Sequence, residues 1–238
     1  MSQDFALPAA SAAPTPGMPK TLAEHAYLRL RHDIVTGRHP PGSKLRVEHL
    51  RDEYQVGAGT LREALLLLVT DALVTVQGQR GFRVAPISLD DFEDITRVRV
   101  VLETEALGLS IEHGDEAWEA NAVAAFHRLS RVEERLHQGD VGFDEWEARN
   151  RAFHTSLLAA CPSRWTLHFL SILYQQSERY RRLVLLDTTV PRDVHAEHAA
   201  LLEACIQRNR QAACQILDRH IRTTLEVIRQ LPASRFGE

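Results

Sequence analysis

From Leu22 the apolar positions Leu22, Ala26, Leu30 and Ile34 recur every four residues, the spacing of one face of an α-helix. Gly37 and the Pro40-Pro41-Gly42 turn end that run. Val47, Leu50 and Tyr54 mark a second, shorter helix that stops near Gly57, and Leu61, Leu65 and Leu68 mark a third over Gly59–Ala72. Only Gln55 to Ala58 separate Tyr54 from that third run, and two short helices joined this tightly form a helix-turn-helix. Val74 and Val76 then alternate with polar residues, as do Phe82 and Val84 beyond Gly78-Gln79-Arg80-Gly81, which is the pattern of a β-hairpin. Three helices followed by a hairpin predict a winged helix-turn-helix.

After Pro86-Ile87-Ser88 the pattern is helical throughout. Helices are predicted over Asp90–Glu112, Asp115–His137, Asp144–Ala160, Arg164–Leu186, Pro191–Arg208 and Arg210–Leu231. Ser88 and Asp115 suit N-caps, Gly114 and Gly139 suit stops, and Pro191 suits a first turn. A bundle buries stripes such as Ile95, Val98, Leu102, Ala106 and Leu109. Residues 1–20, rich in Ala, Pro and Ser without periodicity, read as a disordered tail. The expected organisation is therefore mainly α: a tail over 1–20, a winged helix-turn-helix over 21–87, and an all-helical ligand-binding and dimerisation domain over 88–238.

Composition narrows the class. A chain of 238 residues, 44% hydrophobic, can bury two modest cores, which excludes a disordered protein. The longest uninterrupted apolar run, Ala64 to Val69, is too short to cross a bilayer, and the first basic residue is Lys20, so a cytoplasmic protein without a membrane role is expected. Cys161, Cys205 and Cys214 lie in apolar helical contexts and read as reduced core thiols. The net charge of -4 is unevenly divided. Lys20 to Ala85 carries 10 basic and 7 acidic residues, whereas Pro86 onward carries 18 and 24. A basic front joined to an acidic back is the asymmetry of a chain with one nucleic-acid-binding half.

Leu61-Arg62-Glu63-Ala64-Leu65 and Gly81-Phe82-Arg83-Val84 resemble the recognition helix and the wing of the GntR family of transcription regulators. The resemblance implies binding to double-stranded operator DNA, with Arg62 placed to reach guanine in the major groove. Gly59 and Thr60 open the same helix, where backbone amides can face a phosphate or simply be capped. Arg80 and Gly81 at the wing tip suit the minor groove, and Arg46 is a phosphate candidate. Ala58 stands where many relatives carry a base-reading arginine, so part of the specificity must come from other residues.

The second half resembles the FCD effector domain of the FadR-type branch. Such domains bind a divalent metal through an acid, a histidine four residues later, and two histidines on later helices. The matching positions here are Asn150, His154, His198 and His220. Three imidazoles suit Zn, Ni or another late first-row ion. Asn150 replaces the usual Asp, so an anionic effector would carry the missing negative charge. Arg99 matches an arginine that can clamp a carboxylate, with a structural salt bridge as the rival role. Family effectors are small organic acids, and "GDEAWEA", "DEWEARNRAFHT" and "SERYRRLVLL" resemble the members that repress glutarate utilisation, which implies a C5 dicarboxylate such as glutarate. The resemblance further implies a homodimeric repressor.

Two other classes fit the sequence less well. A metal-dependent helical-bundle enzyme lacks the paired Glu-x-x-His motifs of di-iron sites and a motif-linked general base beside Asn150. A winged helix that binds protein instead of DNA would leave the Arg62 motif unexplained. The chain is therefore expected not to be an enzyme.

Overall fold

A computed structural model describes residues 21–78, 81–137, 142–185 and 192–236. The first helix, α1 (Leu22–Val35), starts where the Thr21 side chain accepts a hydrogen bond from the Glu24 amide at 3.0 Å. Its stripe Ala26, Leu30 and Ile34 packs on Leu50 and Tyr54 of α2 (Val47–Tyr54) and on Leu61, Leu65 and Leu68 of α3 (Ala58–Thr70). Each leucine buried completely in this way contributes on the order of 1.5–3 kcal/mol. Gln55, with φ of 55°, turns the chain between α2 and α3 in the left-handed region. A polar pin adds to this core, because Tyr54 Oη donates to Asp33 at the end of α1 and lies 2.9 Å from His39 Nε2.

The wing is larger than the sequence pattern indicates. Strands β2 (Val74–Val76) and β3 (Phe82–Val84) form the expected antiparallel hairpin, but β3 also pairs with β1 (Lys44–Leu45). The sheet order is β1-β3-β2, with Leu45 opposite Phe82 and Val76 opposite Phe82 on the other edge. Two residues cannot display an alternation, so β1 is invisible to periodicity and is fixed only by its partner. Gly81 has φ of 89°, which an L side chain adopts at a cost, and it leads directly into the return strand.

Six further α-helices follow, α4 (Leu89–His113), α5 (Glu116–His137), α6 (Phe143–Leu157), α7 (Arg164–Leu185), α8 (Val194–Ile206) and α9 (Arg210–Arg229), and a short 3-10 helix over Ala233–Phe236 comes after them. Two N-caps are those the sequence offers, Ser88 and Asp115, and Asn209 is a third that it did not. Ser88 Oγ accepts from the Asp91 amide at 3.1 Å, Asp115 Oδ1 from Trp118 at 2.9 Å, and Asn209 Oδ1 from Ala212 at 3.0 Å. Helix α4 packs on α9 and α7, α5 packs on α6 and α8, and α8 forms a hairpin with α9. Leu107, Leu129, Phe153, Leu157, Leu201 and Leu217 fill the centre.

Several details differ from the sequence reading. Helix α3 ends at Thr70, before Ala72, because Ala72 takes φ of 56°. Helix α6 ends at Leu157, before Ala160. Asp193 caps α8, so that helix begins at Val194. Val98, assigned to the buried stripe of α4, is exposed, whereas Arg99 and Glu103 are buried. Apolar periodicity misplaced that face because α4 turns a polar strip inward. The tail over 1–20, the stop at Gly139, Leu186, Pro191 and wing-tip Arg80 lie outside the described residues. Cys161 and Cys205 are buried, Cys214 is half-buried, and all three are free thiols.

Candidate functional site

On the winged side, α3 presents Gly59, Arg62, Glu63 and Leu66 outward, while Leu61, Ala64, Leu65 and Leu68 face the core. Arg62 is exposed and makes no ion pair among the described residues, so its guanidinium is available to an external acceptor. Gly57 is the N-cap and supplies no side-chain hydrogen bond, which leaves the amides of Ala58, Gly59 and Thr60 open in the first turn. Arg46 is the exposed N-cap residue of α2, and Gly81 immediately precedes β3. Arg83, which sequence reasoning passed over, braces the wing by donating to the Gly42 carbonyl at 2.6 Å and to Gln77 at 2.8 Å.

In the bundle the structure brings together His154 of α6, His198 of α8 and His220 of α9. One ring nitrogen from each lies within 4.8 Å of the others. The ring centroids are 5.3 Å apart for His154 and His198, 5.1 Å for His154 and His220, and 4.9 Å for His198 and His220. Asn150 stands one turn before His154 on α6 and is buried, as the four-residue spacing requires.

Two carboxylates orient these rings. Glu133 of α5 accepts from His198 Nδ1 at 3.2 Å and lies 2.7 Å from His195 Nδ1. Glu197 lies 2.7 Å from His220 Nδ1 and is itself clamped by Arg192 at 2.9 and 2.6 Å. With Nδ1 engaged, Nε2 is the atom that His198 and His220 offer to the cluster. His198 Nε2 is buried with no hydrogen-bond partner. An orphaned nitrogen facing two more imidazoles fits a late first-row divalent ion, and an imidazole anchored at Nδ1 by a carboxylate is the usual outer arrangement of such a ligand.

The electrostatics suit that use. Burial, then the neighbouring His220 and His198, push the His154 pKa well below its ordinary value. Burial takes His220 down to about 3 despite the opposing effect of its hydrogen bond to Glu197. Burial would raise Glu197, but hydrogen bonds from Arg192 and His220 outweigh it and hold this carboxyl at about 2. His154 and His220 are thus neutral, with lone pairs free for coordination, across the physiological range.

Arg99 is buried beside this cluster. Its Nε donates to Glu103 at 2.6 Å, its guanidinium lies 4.8 Å over the Tyr174 ring, and its charge contributes to lowering His154. Tyr174 donates to the second Glu103 oxygen at 2.8 Å. The salt bridge considered as a rival to the clamp is therefore present, and it occupies Nε alone. Glu133 and the pair Arg181–Glu147 were missed in the sequence because their partners come from different helices, and Arg192 and Glu197, five residues apart, because that spacing is not one of a helix face.

A winged helix joined to a helical bundle with a buried imidazole cluster defines a DNA-binding transcription regulator with a ligand-binding domain. Residues 22–84 match the model described as bacterial regulatory proteins, gntR family, and residues 94–223 match the FCD domain. The chain belongs to the GntR family, in the branch that carries an FCD domain. It is 47% identical to the uncharacterized HTH-type transcriptional regulator BphR of Paraburkholderia xenovorans, over 93% of this chain and 91% of that protein. It is 36% identical to the HTH-type transcriptional repressor GlaR of Escherichia coli, over 87% of this chain and 96% of the repressor. Among solved structures, Escherichia coli McbR/YncC superposes with a TM-score of 0.73 over 88% of this chain and 98% of that one, at 19% identity, a likeness of fold. These relatives are transcriptional regulators and not enzymes. No helix among the described residues is long and apolar enough to cross a membrane.

Proposed function

We propose that this protein is a cytoplasmic, homodimeric repressor that leaves its operator when a small organic acid, a C5 dicarboxylate such as glutarate, enters the bundle. The carrying observation is the buried, partnerless Nε2 of His198 beside the clustered ring nitrogens of His154 and His220. In this reading His154, His198 and His220 hold Zn or Ni, with Asn150 beside them as a fourth donor. The bound ion supplies a Lewis-acidic centre for an anion, and the site charge is then +2 with neutral side-chain ligands. One effector carboxylate offsets that charge, and the terminal nitrogens of Arg99 take the other. Likeness to GlaR, a repressor by name, supports the sign of control, and the segment likeness to glutarate-responsive members supports the effector.

On DNA, two winged units of a dimer read half-sites about one helical turn apart. Arg62, Thr60, Gly59, Arg46, Arg80 and Gly81 make the contacts, with Arg62 on a base edge. Arg62→Ala is expected to weaken operator binding by about 1–3 kcal/mol in a gel shift on the protein's own upstream region. Unchanged affinity would remove this side chain from the interface. Titration of metal-free and metal-loaded protein with glutarate tests the pocket. Equal affinity in both forms would take the metal out of the effector site.

A further inference from the structure

Helix α7 touches both halves of the molecule with consecutive residues. Toward the winged unit, Gln176 Nε2 donates to the carbonyl of Asp71 at 2.6 Å, and Asp71 is the C-cap of α3. Arg179 Nη2 donates to the carbonyl of Ala85, just past β3, at 2.5 Å, and its Nη1 donates to Gln176 at 3.3 Å. Arg31 of α1 reaches Gln175 at 3.2 Å and Glu178 at 3.3 Å. The far end of the recognition helix, the exit of the wing and α1 are therefore all fixed by one turn and a half of α7.

Toward the bundle, the same helix carries Tyr174, bound to Glu103, and Arg181, bound to Glu147 at 2.9 Å. Glu178 joins the two sides. Its Oε2 is shared between Arg31 of α1 and Arg151 of α6, and Oε1 accepts from Arg182 at 3.3 Å. Arg151 follows Asn150 directly and precedes His154 by three residues, so α6 offers its imidazole to the pocket and its guanidinium to Glu178. Glu178, Gln176 and Arg179 are all buried, which makes loss of any partner costly and favours discrete over graded rearrangement.

We propose that Glu178 is a positioning residue that couples the pocket to operator recognition: Arg151 and Arg31 share one buried carboxylate oxygen, so a displacement of α6 by pocket occupancy is passed through α7 to α1 and the cap of α3. The inference deepens the reading of the bundle as an effector site and rests on it for the identity of the ligand. Neither Glu178 nor Arg31 touches DNA or the histidine cluster in this scheme. Their substitution therefore changes the coupling between sites and leaves each site's own affinity nearly intact.

The test uses full-length wild type, Glu178→Gln and Arg31→Gln, the second variant standing in if the first misfolds. Operator affinity is measured by fluorescence anisotropy with and without glutarate on Zn(II)-loaded protein. In wild type the ratio is expected to lie at about 5–150-fold, the usual range of allosteric coupling, and in both variants to fall to about twofold or less. Glutarate affinity of the free variants should stay close to that of wild type. Retention of the full ratio in the variants overturns the relay.

A second arm needs no organic effector. Amide hydrogen exchange over residues 60–73 is followed as Zn(II) alone is added to chelated protein. Wild type is expected to gain protection that Glu178→Gln lacks. An equal response in both, or none in wild type, also overturns the proposal. A wild-type glutarate ratio near one together with a Zn(II) response confined to wild type would instead support the relay and refute glutarate as the effector.

Discussion

Removing the Glu133 carboxylate isolates the outer support of the histidine cluster. Glu133 is buried, and its two oxygens serve different rings, Oε1 accepting from His198 Nδ1 at 3.2 Å and Oε2 lying 2.7 Å from His195 Nδ1. Glu133→Gln keeps the volume but turns one oxygen into a donor and removes the charge, so one ring loses its acceptor. Glu133→Ala removes both acceptors, and the His198 ring is then free to turn either nitrogen to the ion. Loss of such an outer partner costs about 10–100-fold in metal affinity. That equals about 1.4–2.8 kcal/mol, with Gln expected at the lower end and Ala at the upper. Competition for Zn(II) or Ni(II) against a fluorescent chelator measures it, with circular dichroism as the check on folding. His195 is half exposed on its side chain, so His195→Ala is the control and should leave metal affinity nearly unchanged. Wild-type metal affinity in Glu133→Ala would refute the view that this carboxylate fixes the presentation of His198.

Metal-free protein should weaken in mild acid. The unfolded chain takes up the His220 proton near pH 6.5, whereas the folded ring, packed against His154, His198, Glu197 and Arg192, holds out until about 3. Stability therefore falls below pH 6.5 by about 1.4 kcal/mol per pH unit for this ring, and the His154 contribution has the same sign. Denaturant melts at pH 7 and pH 5 with chelator present should show a smaller loss in His220→Gln, and an equal loss would remove His220 as the cause. Burial pushes the Cys205 thiol up to about 12, so iodoacetamide at neutral pH should modify half-buried Cys214 well before Cys205. Mass spectrometry reads the order directly, and early labelling of Cys205 in folded protein would contradict it.

Much of the architecture is written in local spacing. Ala26, Leu30 and Ile34 form a buried stripe because a helix repeats every 3.6 residues, whatever else the chain does. Ser88, Asp115 and Asn209 cap helices through bonds that span three residues. The pairing of Asn150 with His154 on one face of α6 is equally local. What escaped was long-range. Strand β1 exists only because Lys44 meets Arg83, and Val98 is exposed because a polar strip of α4 is turned inward to Tyr174 and the histidines.

The sequence alone determined the order and type of the helices, the wing hairpin and the outward arginine of α3, since each depends on neighbours a few residues away, and resemblance to the FCD domain singled out the three imidazoles. The tertiary structure alone decided that those imidazoles converge, that Glu133 and Glu197 engage His198 and His220 at Nδ1, and that Glu178 joins α7 to α1 and α6. Such pairings join residues as distant as Arg31 and Glu178, and no periodicity records which helices will lie side by side once the core has packed.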